Sequence, residues 1–375
     1  MNHASNRGAE DDWPRWAADE IGPRSVTFLE LPGGVRAVVA VDNITLGPAI
    51  GGVRMTPDVT PQEVLRLARA MTLKNAAVGL PHGGAKSGIA APRGLSPRQR
   101  EALIRAFAVR IGHLTEYWPG PDMGTDETAM AWIYDEIGRS VGRPASLGGI
   151  PLDTLGATAH GLVVCAEVLQ AAGRLRIAAA RVAVQGFGAV GRHVAEMLYE
   201  RGAQVVAVSD ITGAIANPDG LDIPKLADFV ADEPLTEFPG VVVLPRDELI
   251  TCDCDILVPA AQPDVINESA AEKIRAPFVL EGANIPATAL AERRLQDRGV
   301  LVVPDIIANA GGVICAAVEA RGLGTAQAFA DITERMRTTV NGWLERVEAG
   351  RRPRDAALDI AGERLRQAAT YRRSF

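Results

Sequence analysis

Residues 181–210, RVAVQGFGAVGRHVAEMLYERGAQVVAVSD, constrain the fold more than any other stretch. An apolar run, a turn holding Gly186, Gly188 and Gly191, an amphipathic helix and a second apolar run ending in Asp210 follow without a gap. This is the strand–turn–helix–strand unit of a doubly wound parallel sheet. Its glycines permit a tight turn and let backbone N–H groups approach a pyrophosphate at the helix N-terminus, beside Val190. Asp210 stands where an acid grips a ribose 2′-hydroxyl, and there it would repel a 2′-phosphate. The expected cofactor is NAD in preference to NADP, a preference that Arg192 or a loop cation would reverse. The alternative for these residues is a βαβ turn with no ligand.

The runs CDILVPA (254–260), PFVLEGA (277–283) and VLVVPDIIA (300–308) continue the alternation of strand and helix. Residues 325–375 read as helical and rich in Arg and Ala. Upstream of about residue 156 the texture differs. VRAVVAV (35–41) reads as a buried strand, and ITLGPAIGGVRMT (44–56) as a glycine-rich segment. TPQE (60–63) predicts a helix with Thr60 as N-cap, Pro61 in the first position and Glu63 closing a capping box. It runs to about Val78 and stops at Gly79 and Pro81. SPRQ (96–99) predicts a second helix through about Glu116. A third covers 125–138, with Asp126 and Glu127 in the first turn, where the helix dipole favours acids.

At 375 residues the chain is long enough for two cores. A net charge of −7 offers no basic field for nucleic acid. No apolar run reaches about 18 residues, so no membrane span is expected. The N-terminus, MNHASNRGAEDDWPRW, is polar and acidic, unlike a signal or transit peptide, and a cytoplasmic location is expected. It reads as an arm whose Trp13 and Trp16 dock. Cys165, Cys252, Cys254 and Cys315 show no metal spacing. CDC at 252–254 is too tight for a zinc pair and is expected inside an apolar strand, so all four read as structural thiols and no metal is expected.

MTLKNAAVGLPHGGAKSG (71–88) carries the chemistry. Lys74 follows Leu67 by seven residues and Met71 by three, which sets it on or beside the apolar face, away from Arg66 and Arg69. A lysine there needs an anionic partner or a lowered pKa, unless it snorkels from the helix end. Lys86 follows Gly83 and Gly84, which bring backbone close to whatever the lysine faces. GPDMGTD (120–126) puts Asp122 in a turn before a helix, where it could act only as a cap. A hydride acceptor beside two lysines and a carboxylate suits oxidation of an amine flanked by a carboxylate. One lysine would hold the carboxylate, the other order a water and stabilise the developing carbonyl, and the aspartate shuttle protons.

These blocks, with GPAIGGVR (47–54), GATAHG (156–161), LVPAAQPDVI (257–266), LEGAN (280–284) and VPDIIANAGGV (303–313), resemble the glutamate/leucine/phenylalanine/valine dehydrogenase family in the family's own order. The likeness covers nearly everything from about residue 35. It implies that Lys74 binds the substrate α-carboxylate, that Lys86 is the catalytic lysine and that Asp122 transfers protons. Asn284 and Asn309 would lie near the nicotinamide ribose and ring, and Thr158 near the carboxamide. The implied fold is an N-terminal α/β substrate and oligomerisation domain plus a Rossmann-like doubly wound NAD-binding domain, with a cleft between them. The corresponding boundaries are 1–155, joined by a returning segment 345–375, and 156–344. Homo-oligomers, hexamers or octamers, are implied. The implied reaction is hydride transfer from Cα to NAD, then water attack and release of ammonia and a 2-oxo acid.

Substrate identity is read from departures. Glutamate-specific members carry a lysine where this chain has Ile50, and a serine where it has Ala316, three residues past Val313. Without those partners a substrate's side-chain carboxylate would be buried unpaired, at a cost of several kcal/mol. Gly120 resembles the phenylalanine type. The expectation is an apolar L-amino acid, bulky aliphatic or aromatic. The alternatives are a glutamate dehydrogenase in which His82 or Arg54 reaches the side chain, and a non-catalytic NAD-binding sensor.

Overall fold

Two sheets follow one another along the chain, and each is built from the runs named above. In the computed structural model, residues 19–371 are described; Trp13 and Trp16 lie outside them. The first sheet is mixed, in the order β1 (Ser25–Leu31), β2 (Val35–Asn43), β4 (Gly83–Ile89), β3 (Ala49–Met55), β5 (Tyr117–Pro121). β3 runs parallel to both β4 and β5, whereas β2 is antiparallel to β1 and β4. The glycine-rich segment is therefore strand β3. Its glycines serve close packing, since a Cβ on Gly51 would lie 1.8 Å from the Ala85 carbonyl oxygen.

Helices α1 (Pro61–Ala77), α2 (Pro97–Ile111) and α3 (Glu127–Ile137) accompany this sheet. Thr60 caps α1 as expected, its Oγ1 accepting from Glu63 N at 3.2 Å. The Glu63 carboxylate does not complete the box, because it pairs with Arg54. At α2 the box is complete, with Ser96 and Gln99 exchanging hydrogen bonds. α2 ends at Ile111 and not near Glu116, because Leu114 N and Tyr117 N take up tight turns that lead into β5. Asp126 lies outside the first turn of α3. It is the N-cap, accepting from Ala129 N at 2.9 Å.

The second half contains α4 (Ala157–Ala171), β6 (Arg181–Gln185), α5 (Ala189–Glu200), β7 (Gln204–Ser209), β8 (Ala214–Ala216), α6 (Ile223–Phe229) and β9 (Val242–Leu244). It continues with β10 (Ile256–Pro259), α7 (Glu268–Lys273), β11 (Phe278–Leu280), α8 (Ala289–Asp297), β12 (Leu301–Val303) and α9 (Asp305–Ala308). Helices α10 (Gly311–Ala320), α11 (Thr325–Glu348) and α12 (Pro353–Ala369) close the chain. The strand order is β12-β11-β10-β6-β7-β8-β9. The first five strands in that order run parallel, and β8 and β9 add an antiparallel edge. Cys252 and Cys254 precede β10 and are not within a strand. All four cysteines are free thiols, and Cys165, Cys254 and Cys315 are buried.

The C-terminal helices return to the first half. Arg364 of α12 donates to the Ala76 carbonyl at 3.0 Å and to that of Ala77, and Thr339 of α11 donates to the Ala77 carbonyl at 3.3 Å. The bonds to Ala77 satisfy a carbonyl that the end of α1 would leave orphaned, whereas that of Ala76 also accepts from Gly79 N at 3.0 Å. Among the described residues no helix is long and apolar enough to cross a membrane.

Candidate active site

Three neighbouring strands assemble the charged centre. Lys86 of β4 is 3% exposed, and its Nζ lies 3.0 Å from Asp122 Oδ2, just past β5. Arg54 of β3, the strand between them, donates Nε to the same oxygen at 2.9 Å and pairs with Glu63 through Nη1. Gly52 makes the meeting possible. A Cβ there would stand 2.8 Å from Asp122 Cβ and 3.2 Å from Lys86 Nζ. Burial works against an ionised Asp122, but the Lys86 ammonium and Arg54 guanidinium outweigh it and hold the carboxyl below the usual carboxylate range.

Lys74, in the last turn of α1, is 4% exposed, as its spacing predicts. Its Nζ donates to Asn284 Oδ1 at 2.7 Å, across the cleft to the second half of the chain. Burial lowers its pKa to about 8, with Lys86 adding to the effect and Asp305 and Asp122 opposing it. Arg66 is exposed as expected, but Arg69 is half-buried and binds Asp42 and Asp19. Asn75 locks the lysine helix to the lysine strand by donating Nδ2 to the Gly83 carbonyl at 2.6 Å.

From the other side, Asn309 Nδ2 donates to the carbonyls of Gly282 (3.2 Å) and Ala283 (3.0 Å) and to Asn284 Oδ1 (3.3 Å). Glycines let α10 lie close against α4. A Cβ on Gly312 would fall 2.7 Å from Thr158 Oγ1, and one on Gly311 2.1 Å from the Ala157 carbonyl oxygen. Lys74, Lys86, Asp122, Thr158, Val190, Asn284 and Asn309 line one cavity of about 310 Å³.

The same cavity has an apolar end, where Ile50, Val141, Leu152 and Ala316 share one cluster, Val313 packs on it and Gly120 faces Val141; Asp153, next in sequence to Leu152, also lines the cavity. Val141 and Leu152 belong to a loop that Glu319 ties to α10. Its buried carboxylate accepts from Gly142 N (2.8 Å), Arg143 N (3.3 Å), Arg143 Nε (2.8 Å) and Ile150 N (3.1 Å). Arg54 lines the cavity but is already paired twice. His82 does not line it, and its Nδ1 lies 3.0 Å from the Pro48 carbonyl oxygen.

A second cavity, about 700 Å³, runs along the ends of β6 and β7 and includes Gly186, Gly188, Ser209, Asp210, Arg246 and Lys273. These residues fit a dinucleotide. Gly188 opens the helix with nothing within 4 Å of where a Cβ would be, while Gly186 adopts φ +92°. Gly191 packs inward, where a Cβ would sit 1.7 Å from the Gly186 carbonyl oxygen. Asp210 Oδ1 accepts from Thr212 N (2.7 Å), Thr212 Oγ1 (2.6 Å) and Gly213 N (3.3 Å), so only Oδ2 is left for a ribose. Arg192 is turned to Glu196 and lines neither cavity; Arg246 and Lys273 are the cations at this groove.

Of the expected site residues, Gly83 and Gly84 do not reach the cavity. A Cβ on Gly83 would meet the Asn43 carbonyl oxygen at 1.7 Å and one on Gly84 would meet Thr72 N at 2.0 Å, so their close approach is to β2 and α1. The sequence reading missed Gly52, Val141, Leu152 and Glu319. Only Gly52 carried a signal, a glycine inside a strand.

Residues 26–139 match the model described as Glu/Leu/Phe/Val dehydrogenase, dimerisation domain, and residues 148–373 match Glutamate/Leucine/Phenylalanine/Valine dehydrogenase. The NADP-specific glutamate dehydrogenase of Saccharolobus shibatae is 39% identical over 293 residues, 74% of this chain and 69% of that protein. The hetero-hexameric glutamate dehydrogenase of Thermus thermophilus, in a leucine-bound form, is 32% identical with a TM-score of 0.86, covering 94% of this chain and 91% of its own. The Peptoniphilus asaccharolyticus glutamate dehydrogenase is 28% identical with a TM-score of 0.76, covering 93% and 92%. With matched models across both halves and its strand–glycine–helix unit in place, the chain belongs to the glutamate/leucine/phenylalanine/valine dehydrogenase family of enzymes, which act on the CH–NH₂ group of amino acids.

Proposed function

We propose that this enzyme oxidatively deaminates an L-amino acid with an apolar, bulky aliphatic or aromatic side chain, releasing the 2-oxo acid and ammonia. The observation that carries this reading is the far end of the cavity, where Ile50, Gly120, Val141, Leu152, Val313 and Ala316 offer no cation and Asp153, next in sequence to Leu152, adds none. A glutamate side-chain carboxylate placed there would lose its hydration without gaining a cation. Glutamate is the second reading, and it is favoured by the relatives, which are named glutamate dehydrogenases.

A nicotinamide dinucleotide, when bound, supplies the hydride acceptor. The chain's own groups do the rest. Lys74, with one N–H of its ammonium resting on Asn284, offers another to the substrate α-carboxylate. Asp122 takes a proton from the substrate amine and returns one to the departing ammonia. Lys86 orders the attacking water and steadies negative charge on the oxygen that becomes the carbonyl. Gly186, Gly188, Gly191 and Asp210 would hold the pyrophosphate and ribose; Thr158, Asn284 and Asn309 would face the nicotinamide half.

NAD is the cofactor we propose, on the strength of Asp210. NADP is supported by the Saccharolobus shibatae relative and by Arg246 and Lys273 at the groove. The proposed assembly is a homo-oligomer, hexamer or octamer, in keeping with the matched dimerisation domain.

A panel of L-amino acids assayed with each cofactor tests all of this. Leucine and phenylalanine should exceed glutamate in kcat/KM, and NAD should exceed NADP. Glutamate well ahead of both would overturn the side-chain reading. NADP ahead of NAD, with the advantage lost in Lys273→Ala, would overturn the cofactor reading.

A further inference from the structure

Behind the loop that carries Asn284 stand three acids and one arginine, none of which lines the cavity. Arg354, in the first turn of α12, donates Nε to both oxygens of Glu292 at 2.6 Å and Nη2 to Glu281 Oε2 at 2.9 Å. The same Nη2 lies 3.0 Å from Asp305 Oδ1. Glu281 and Asp305 are fully buried. Gathering three carboxylates around one guanidinium inside a protein is a poor way to gain stability, which points to a geometric purpose.

The other oxygen of Asp305 shows that purpose. Oδ2 accepts the N–H of Ile285 at 2.9 Å, and Ile285 sits at φ +52°, a conformation that β-branched residues avoid. From the far side, the Ile285 carbonyl accepts from Asp264 N at 2.9 Å. Held in this way, residue 285 sets the direction of its neighbour Asn284, whose Oδ1 receives Lys74 Nζ at 2.7 Å and Asn309 Nδ2 at 3.3 Å. A continuous line of contacts thus runs from α12 through Asp305 and Ile285 to the ammonium of Lys74.

We propose that Arg354 is a positioning residue for the substrate-carboxylate site: through Asp305 it fixes the 282–285 turn, and with it the Asn284 oxygen that sets where the Lys74 ammonium stands. The inference rests on the reading of Lys74 as the carboxylate anchor. The competing account is that Arg354 only fastens α12 to the acids behind it.

The test is a double-mutant cycle in the full chain between Arg354→Gln and Asn284→Ala, reading amino-acid KM, kcat and Tm. Arg354→Gln should raise KM about tenfold with a much smaller change in kcat. In the Asn284→Ala background it should add less than about twofold. Arg354→Lys keeps the charge but not the fork, and it should raise KM several-fold while retaining most of the stability. That variant replaces Arg354→Gln in the cycle if the latter does not fold. A lowered Tm with KM unchanged in both Arg354 variants, or effects that add fully to Asn284→Ala, would overturn the proposal. Lys74→Ala separates the two layers. If it leaves KM unchanged, the anchor reading falls and this inference with it. If it raises KM while the Arg354 variants do not, only this inference falls.

Discussion

The two ends of the substrate cavity are built on opposite rules. At one end every charge has a partner: Lys86 and Arg54 share Asp122, Glu63 offsets Arg54, and Lys74 rests on Asn284. At the other end Ile50, Gly120, Val141, Leu152, Val313 and Ala316 bring no cation, and Asp153, next in sequence to Leu152, brings only an acid. The charged end recognises what all amino acids share and fixes the class of reaction. The apolar end selects among them through groups it lacks, because an unpaired buried charge is penalised more heavily than a spare methylene is rewarded. Substitutions should therefore act differently at the two ends, on rate at the first and on preference at the second.

The largest effect is expected from Lys86→Ala, which should lower kcat by about 10³-fold for every substrate while dinucleotide binding, followed by fluorescence, persists. A loss confined to one amino acid would place Lys86 in recognition instead. Next, Ile50→Lys should swing the ratio of kcat/KM for glutamate over leucine by about 100-fold. An unchanged ratio would show that Ile50 does not meet the side chain.

A smaller, graded effect concerns pH. The free-enzyme pKa of Lys74 is lowered to about 8, so below that pH the ammonium is present to hold a carboxylate. As pH rises through 8 the proton leaves, and amino-acid KM should climb, approaching tenfold per pH unit well above it. A bound carboxylate stabilises the ammonium, so kcat should not show the same limb. An amino-acid KM flat from pH 7 to 10 would contradict the burial-lowered pKa.

The smallest effect is expected from Gly120→Ala. A Cβ there would lie 3.1 Å from Val141 Cγ2, a contact that narrows the apolar end without closing it. The kcat/KM for a bulky side chain should fall about three- to tenfold and that for alanine should hold. Equal losses for both would mean that the pocket is not what moved.

Much of the charged end was legible beforehand because its signals are local. Helical spacing put Lys74 on the buried face. Asp122 could have been only a cap, but Asp126 performs that task, which leaves Asp122 to the cations. The glycine signal at Gly83 and Gly84 correctly announced a close approach but not the partner, since any strand in a crowded sheet can be that partner. The apolar end was half visible. Ile50, Gly120, Val313 and Ala316 sit in recognisable blocks, whereas Val141 and Leu152 lie in an irregular loop with no periodicity. Their place depends on Glu319, 177 residues beyond Gly142, a pairing no window of sequence contains. Asp210 follows β7 and lines the cavity at the glycine turn, yet its Oδ1 is already taken by the turn that follows it.

Glu319 also bears on the order of events. Val313, Ala316 and Glu319 are spaced three residues apart on α10, and the four hydrogen bonds of Glu319 join that helix to the loop bearing Val141 and Leu152. Two walls of the apolar end are thus bound together by four hydrogen bonds, while Lys74 and Asn284 meet through one. If the cleft opens, the more heavily bonded side-chain wall would outlast the single bond at the carboxylate site. A candidate substrate would then be judged by its side chain while the enzyme is still ajar, and the reacting groups would gather only around one that has already been accepted.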